Sequence, residues 1–316
     1  MSTHSIARAP VRVQNDPEKA HRILLGWGYV IFTIMLLALA AYGFDYYRLD
    51  PVYRPLSTKH AVLKPSGAIG LKLGYLGLAM FFTIFLYPIR RRWQWLSQQG
   101  SSAHWLNFHM LLGVMAPFVI AFHSAFKFSG FAGMAFWIMV AVAISGVVGR
   151  YVYGQIPRSL NAAEISSSEL QNQHTQLAQR LAKQRVLPVG SLHFLLRLPQ
   201  PERVTRMSIF SAIIYMIALD LVRPLRVARL RRRAVGFGQK LLTIGGLRKT
   251  RHWELETAIA TARDQAKLSK RILFLSRARD VFQLWHVIHR PFSYSFLVLA
   301  MLHIVVVMLL GFVRWW

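Results

Sequence analysis

The sequence contains no cysteine. Disulfides, thiolate metal sites, Cys-ligated iron–sulfur clusters and thioether-linked c-type haem are therefore excluded together. Acidic residues are scarce as well: 12 Asp and Glu in 316 residues, none between positions 51 and 163 and none after Asp280. Carboxylate proton relays, cation-selective rings and carboxylate-held di-iron centres need such groups at membrane depth, and all three are disfavoured. What the chain has instead is apolar bulk and positive charge. Hydrophobic residues make up 54% of it, and 39 Lys and Arg give a net charge of +27. That pairing excludes an ordinary soluble globule, a disordered chain and an acidic enzyme.

The apolar residues fall in long runs. Ile23–Phe44, Leu73–Ile89, Trp93–Phe126, Phe128–Gly149 and Pro291–Val313 carry no Asp, Glu, Lys or Arg. About 20 helical residues cross a hydrocarbon layer, so the runs predict five transmembrane helices near 23–45, 70–90, 104–126, 129–153 and 281–313. Trp27, Trp93, Trp95, Trp105, Trp285, Trp315 and Trp316 gather at their ends, as interfacial aromatics do. The first run is too long for a cleaved signal and reads as a retained anchor.

The segment 154–282 holds 23 Lys and Arg against 8 Asp and Glu. With Arg90, Arg91 and Arg92, and with Arg8, Arg12, Lys19 and Arg22 of the N-terminal tail 1–22, it places one face of the membrane as cytoplasmic by the positive-inside rule. Helices three and five then run parallel, and the C-terminus is expected on the periplasmic side. Residues 154–280 read as a basic, helical insertion between helices four (ending the block 23–153) and five (within 281–316). Pro157 is expected to end helix four, and Ser166–Val186 is expected to be an amphipathic helix. Met207–Leu219 is too short to span and suits the membrane interface, with flanking arginines on lipid phosphates. No groove-reading or base-stacking motif accompanies the basic runs, so anionic lipid rather than nucleic acid is the expected partner.

Histidine is the polar residue left inside the spans. Helix three carries His109 and His123; helix five carries His289 and His303. Each pair is 14 residues apart, close to four turns and about 21 Å, so both members share a face. Parallel helices with this pattern bring His109 level with His289 and His123 level with His303. Lone histidines in membrane helices ordinarily hydrogen-bond a neighbour, but a repeated offset on two helices is a rare coincidence at this histidine content. Two stacked pairs of imidazoles suit two b-type haems, held without covalent attachment because cysteine is absent. His286, one turn before His289, is an alternative inner ligand or a propionate partner. Arg290 and Arg150 suit the inner propionates and Lys127 the outer ones, although each also serves as a helix-end anchor. Gly113, Gly133, Gly146 and Gly149 give room for a flat ring or for helix packing. His104 reads as interfacial, and His4, His21, His60, His174, His193 and His252 as loop or tail residues.

The stretches NFHMLLGVMAPFVIAFHSAF with His109 and His123, LWHVIHRPFSYSFLVLAMLHIVV with His289 and His303, and GVVGRYVYGQIPRSL at the end of helix four resemble the transmembrane part of the ferric reductase and NADPH oxidase superfamily. The last of these stretches also looks like bacterial members without flavin domains. The resemblance implies that the four histidines ligate two b haems in the pairs 109/289 and 123/303. It also implies a bacterial inner-membrane protein. Eukaryotic members continue through a sixth helix into flavin and nicotinamide domains; here no GxGxxG fingerprint follows a strand. GFGQK at 236–240 and Gly245–Gly246 are too short to serve.

The expected fold is therefore all-α, five transmembrane helices forming a haem-binding bundle. The expected function is an electron-transfer subunit relaying electrons between partner proteins, with no NAD(P)H or flavin site of its own. A cytoplasmic flavin or iron–sulfur protein and a periplasmic cytochrome c are the expected partners. A quinol-linked cytochrome b using His286 or His104 as proton acceptor, and a non-redox membrane scaffold, are the alternatives.

Overall fold

The computed structural model describes residues 17–90, 92–156, 172, 175, 176, 179, 198–234 and 253–312. All regular structure among them is helical. The chain divides into two compact units, one made of Met1–Val147 with His289–Trp316 and the other of Val148–Ile288. The expected helix at 166–186, Pro157, Arg91 and the glycines at 236–246 lie outside the described residues, apart from positions 172, 175, 176 and 179.

The first unit contains α1 (Pro17–Tyr42), α2 (Phe44–Arg48), a 3-10 turn at Arg54–Leu56, α3 (His60–Leu63), α4 (Ala68–Arg90), α5 (Gln94–Ser97), α6 (Ser102–His123) and most of α7 (Gly130–Tyr153). The second contains α8 (Pro201–Arg206), α9 (Ile209–Ala234) and α10 (Trp253–Leu273). The last helix, α11 (Leu275–Leu309), has residues in both. Five stretches are long and apolar enough to cross a membrane: Glu18–Tyr42, His60–Arg90, Ser102–His123, Gly130–Tyr153 and Leu275–Leu309. Each contains an apolar window of 18 residues with at most two charged side chains, so lipid is the solvent these windows fit. The chain has the make-up of a multi-pass membrane protein.

Several boundaries differ from the sequence expectation, among them the last helix, which runs Leu275–Leu309 and not 281–313. The first helix starts at Pro17 rather than 23, because proline is well placed in a first turn and Glu18 favours the positive end of the helix dipole. His21 is thus helical, not a tail residue, and His60 opens α3 rather than lying in a loop. The third spanning helix stops at His123 instead of 126. Ala125 and Phe126 adopt left-handed conformations (φ 50° and 59°), and the Phe126 N–H returns to the Ala121 carbonyl at 2.9 Å, closing the helix with a Schellman-type turn. Alanine and phenylalanine resist that conformation, so the turn needs support from elsewhere. The buried guanidinium of Arg54 supplies it, donating to the carbonyls of Ala125, Leu49 and Tyr47. Tyr47, Phe122 and Phe126 pack edge to face around it.

Close packing in the first unit runs between α4 and α6 and between α1 and α6. Small residues permit it. The Gly77 backbone lies where a Cβ would strike Ile120, and that of Gly28 where a Cβ would strike Leu111. Leu73, Met80, Leu112, Ala116, Val119, Phe136 and Met139 form the core here, and Phe81 meets Phe296 of α11 edge to face at 5.2 Å.

In the second unit, Val227 and Leu230 of α9 pack against Leu255, Ala258, Ile259 and Ala262 of α10, reinforced by the bidentate ion pair of Arg231 with Glu256. The stretch 207–219 is the start of a longer helix that continues past Pro224 into arginines, and α9 is not among the helices apolar enough to span. Ala212, Met216 and Leu219 are buried with Phe274, whereas Phe210, Ile214, Leu221 and Leu225 form one exposed stripe. Asp220 sits at the centre of a polar cluster: its carboxylate accepts from the Tyr151 hydroxyl at 2.7 Å and from buried Lys270, and Arg223 lies 3.0 Å from its other oxygen.

Candidate functional site

The four intramembrane histidines sit on α6 and α11, each half-buried. On α6, His109 Nδ1 lies 3.0 Å from the Ile84 carbonyl and His123 Nδ1 lies 2.8 Å from the Gly70 carbonyl, both on α4. The two donors are 14 residues apart on α6, and the two acceptors are 14 apart on the antiparallel α4. One register therefore generates both bonds. A backbone carbonyl only accepts, so each imidazole must carry its proton on Nδ1, and the Nε2 lone pair stays free for a Lewis acid. Neither Nε2 has a hydrogen-bond partner among the described residues.

His289 has a side-chain partner at Nδ1 in place of a backbone one. Its Nδ1 lies 2.8 Å from the Ser145 Oγ of α7. That hydroxyl spends its one proton on the Val142 carbonyl at 2.8 Å, so the oxygen accepts from His289 and the Nδ1–H tautomer is again selected. His303 lies within electrostatic reach of His123. The structure gives His109 and His289 separate supports, Ile84 with the Tyr87 ring at 5.3 Å for one and Ser145 for the other.

The glycines divide by role. Gly146 lies beside the His289 ring, 3.5 Å from where a Cβ would sit, and the space around Gly113, one turn beyond His109, is open. Gly149 is closed by the indole of Trp285, and Gly133 by the Phe128 backbone, so these two leave no room for a ring. The sequence does not single out Gly74, yet a Cβ there would stand 2.7 Å from the His123 Cε1. Gly74→Ala is expected to push the imidazole off the Gly70 carbonyl. In the histidine NMR spectrum the Nδ1-protonated signal of His123 should give way to a tautomer mixture, while that of His109 stays unchanged.

Arg290, Arg150 and Lys127 are exposed. His286 bonds through Nδ1 to the Phe282 carbonyl of its own helix at 3.0 Å, its ring edge-on to Phe282 and Trp285. His104 stacks on His21 with ring centroids 3.8 Å apart, and His60 Nδ1 pairs with the Tyr46 hydroxyl at 3.1 Å. Neither pairing leaves a sequence signal, since the partners are far apart in the chain. No protein-family model, curated protein or solved structure matches the chain.

Proposed function

We propose that the protein is a di-haem cytochrome b of the kind its sequence resembles, the ferric reductase and NADPH oxidase superfamily, relaying single electrons across a bacterial inner membrane. His109 with His289, and His123 with His303, would be the axial ligands. The observation that carries this reading is the matched pair of Nδ1–carbonyl bonds on α6, together with the serine that does the same for His289. Imidazoles that ligate metals hold the far nitrogen in this way, which fixes the ring and raises its basicity. Among the described residues no group of three or more His, Cys, Asp or Glu is gathered to hold a bare metal ion; a haem iron, already held by four ring nitrogens, asks for two.

When bound, haem supplies reversible one-electron chemistry at iron. The chain's own residues orient the ligands, keep water out through the apolar walls of α4, α6 and α7, and leave open space at Gly113. Arg290, Arg150 and Lys127 would meet propionates, with His286 as an alternative partner or inner ligand. The N-terminal tail and the basic segment 154–280 would face the cytoplasm. There the cationic surface would steer an acidic flavin or iron–sulfur protein, and the exposed stripe of α9 would lie on anionic lipid. A periplasmic cytochrome c would exchange electrons at the other face.

A dithionite-reduced minus oxidised spectrum of the purified protein, with haem counted per chain, tests the proposal. Two b-type haems per chain is the expected result. A colourless protein from cells with ample haem supply would overturn it, and one haem would restrict it to half of the histidines.

A further inference from the structure

The two carbonyls that hold the α6 histidines are not alike, and the difference lies in proline. In an α-helix the carbonyl of residue i accepts from the N–H of residue i+4. Four residues after Gly70 stands Gly74, which has an N–H to give. Four residues after Ile84 stands Pro88, inside α4, which has none. The Ile84 carbonyl is thereby stripped of its helical donor in an apolar setting where an unpaired backbone oxygen is costly. His109 Nδ1 is the group 3.0 Å from it.

We infer that Pro88 is a positioning residue for His109: by withholding an N–H it reserves the Ile84 carbonyl for the His109 Nδ1–H and strengthens the hydrogen bond that orients the ring. The inference rests on the di-haem reading for its redox consequence, although the strength of that hydrogen bond does not depend on haem. The Gly70 carbonyl divides its acceptance between Gly74 and His123; the Ile84 carbonyl gives His109 its whole capacity. An undivided acceptor draws the Nδ1 proton further and makes the imidazole a stronger electron donor. The haem ligated by His109 then has its ferric form favoured, so its potential lies lower than it would with a shared carbonyl.

The test compares two proline replacements in the full-length protein. Pro88→Ala restores an N–H that competes for the Ile84 carbonyl. Pro117→Ala restores one toward the carbonyl of Gly113 on α6, so it controls for any general effect of straightening a helix. In Pro88→Ala, redox titration should show the midpoint potential of one haem rising while the other stays. That site's haem affinity should fall by less than about tenfold, the lower figure for outright loss of a ligand's outer partner, because the carbonyl is shared and not removed. In haem-stripped protein labelled with 15N-histidine, the Nδ1 resonance of His109, assigned by its loss in His109→Gln, should stay protonated but shift toward that of His123, whose carbonyl is already shared. Pro117→Ala should leave all three readouts as they were. An unmoved potential and Nδ1 resonance in Pro88→Ala, or equal shifts in both variants, would overturn the inference. A wild-type protein that binds no haem would sink the di-haem reading instead, and the nitrogen resonance would still decide the role of Pro88.

Discussion

On the di-haem reading, His123→Ala is expected to yield a protein with one b-type haem in place of two. The side chain contributes one hydrogen bond to the Gly70 carbonyl, whose loss costs about 1 kcal/mol, so the fold should survive its removal. The ligand pair does not survive, because His303 alone leaves the iron a coordination position short. The difference spectrum should halve in amplitude, and the remaining haem should keep its potential, since His109 has its own acceptor at Ile84. Added imidazole should restore the lost haem by filling the space of the missing side chain. Retention of both haems in this variant, measured as haem per chain, would remove His123 from the ligand set and break the 123/303 pairing.

The second large effect concerns stability and lies away from the histidines. Lys270 is 3% exposed, and its ammonium group serves Asp220 and the Tyr151 hydroxyl. Burial alone would raise the Asp220 pKa, but the hydrogen bonds from Lys270 and Tyr151 and the charges of Lys270 and Arg223 outweigh it and hold the carboxyl below its ordinary value. Lys270→Met takes the main counter-charge from a carboxylate that cannot leave its site. The unit Val148–Ile288 is expected to lose about 3 kcal/mol, the lower end for a broken buried pair because Arg223 still reaches the other carboxylate oxygen. Hydrogen exchange of α9 and α10 in lipid nanodiscs reads the loss. The double variant Asp220→Leu with Lys270→Met should recover most of it, since an apolar pair leaves no orphaned charge. The pH dependence has a fixed sign. A carboxyl whose folded pKa is depressed stabilises the fold above its unfolded value, near 4, and that contribution fades as pH falls through the folded value. Opening of α9 and α10 should therefore accelerate below about pH 4 in the parent and less steeply in the double variant, where the Arg231–Glu256 pair is still left to be lost to acid.

The five spanning helices were legible because charge-free runs of membrane length leave the backbone few other ways to satisfy its hydrogen bonds. The ends were less legible. Nothing near Ala125 signals a left-handed turn; Arg54, 71 residues earlier, stabilises it through the Ala125 carbonyl. That 207–219 is too short to span was visible in its length, but its continuation through Pro224 into α9 was not, because the helix is held by burial against Phe274 and α10. Among the site residues, the 14-residue spacing was open to inspection. Gly149 could be read as room for a ring or as a packing site, and its neighbour Trp285, 136 positions away, makes it the second. Pro88 did carry a signal, since a proline inside a span always frees the carbonyl four residues back. What that carbonyl would meet could not be read.

By itself the sequence determined that this chain belongs in a bilayer, that its intramembrane polar chemistry is that of imidazole, and that two helices present histidines at a common repeat. Those properties follow from composition and helical periodicity, which are local. The tertiary structure alone decided the Nδ1 partners of three of those rings. Setting α4 antiparallel to α6 in one register puts two backbone oxygens opposite two Nδ1 atoms, and folding α7 beside His289 puts a committed serine opposite a third. A tautomer is chosen by the partner on the next helix, and no spacing along a single chain contains that partner.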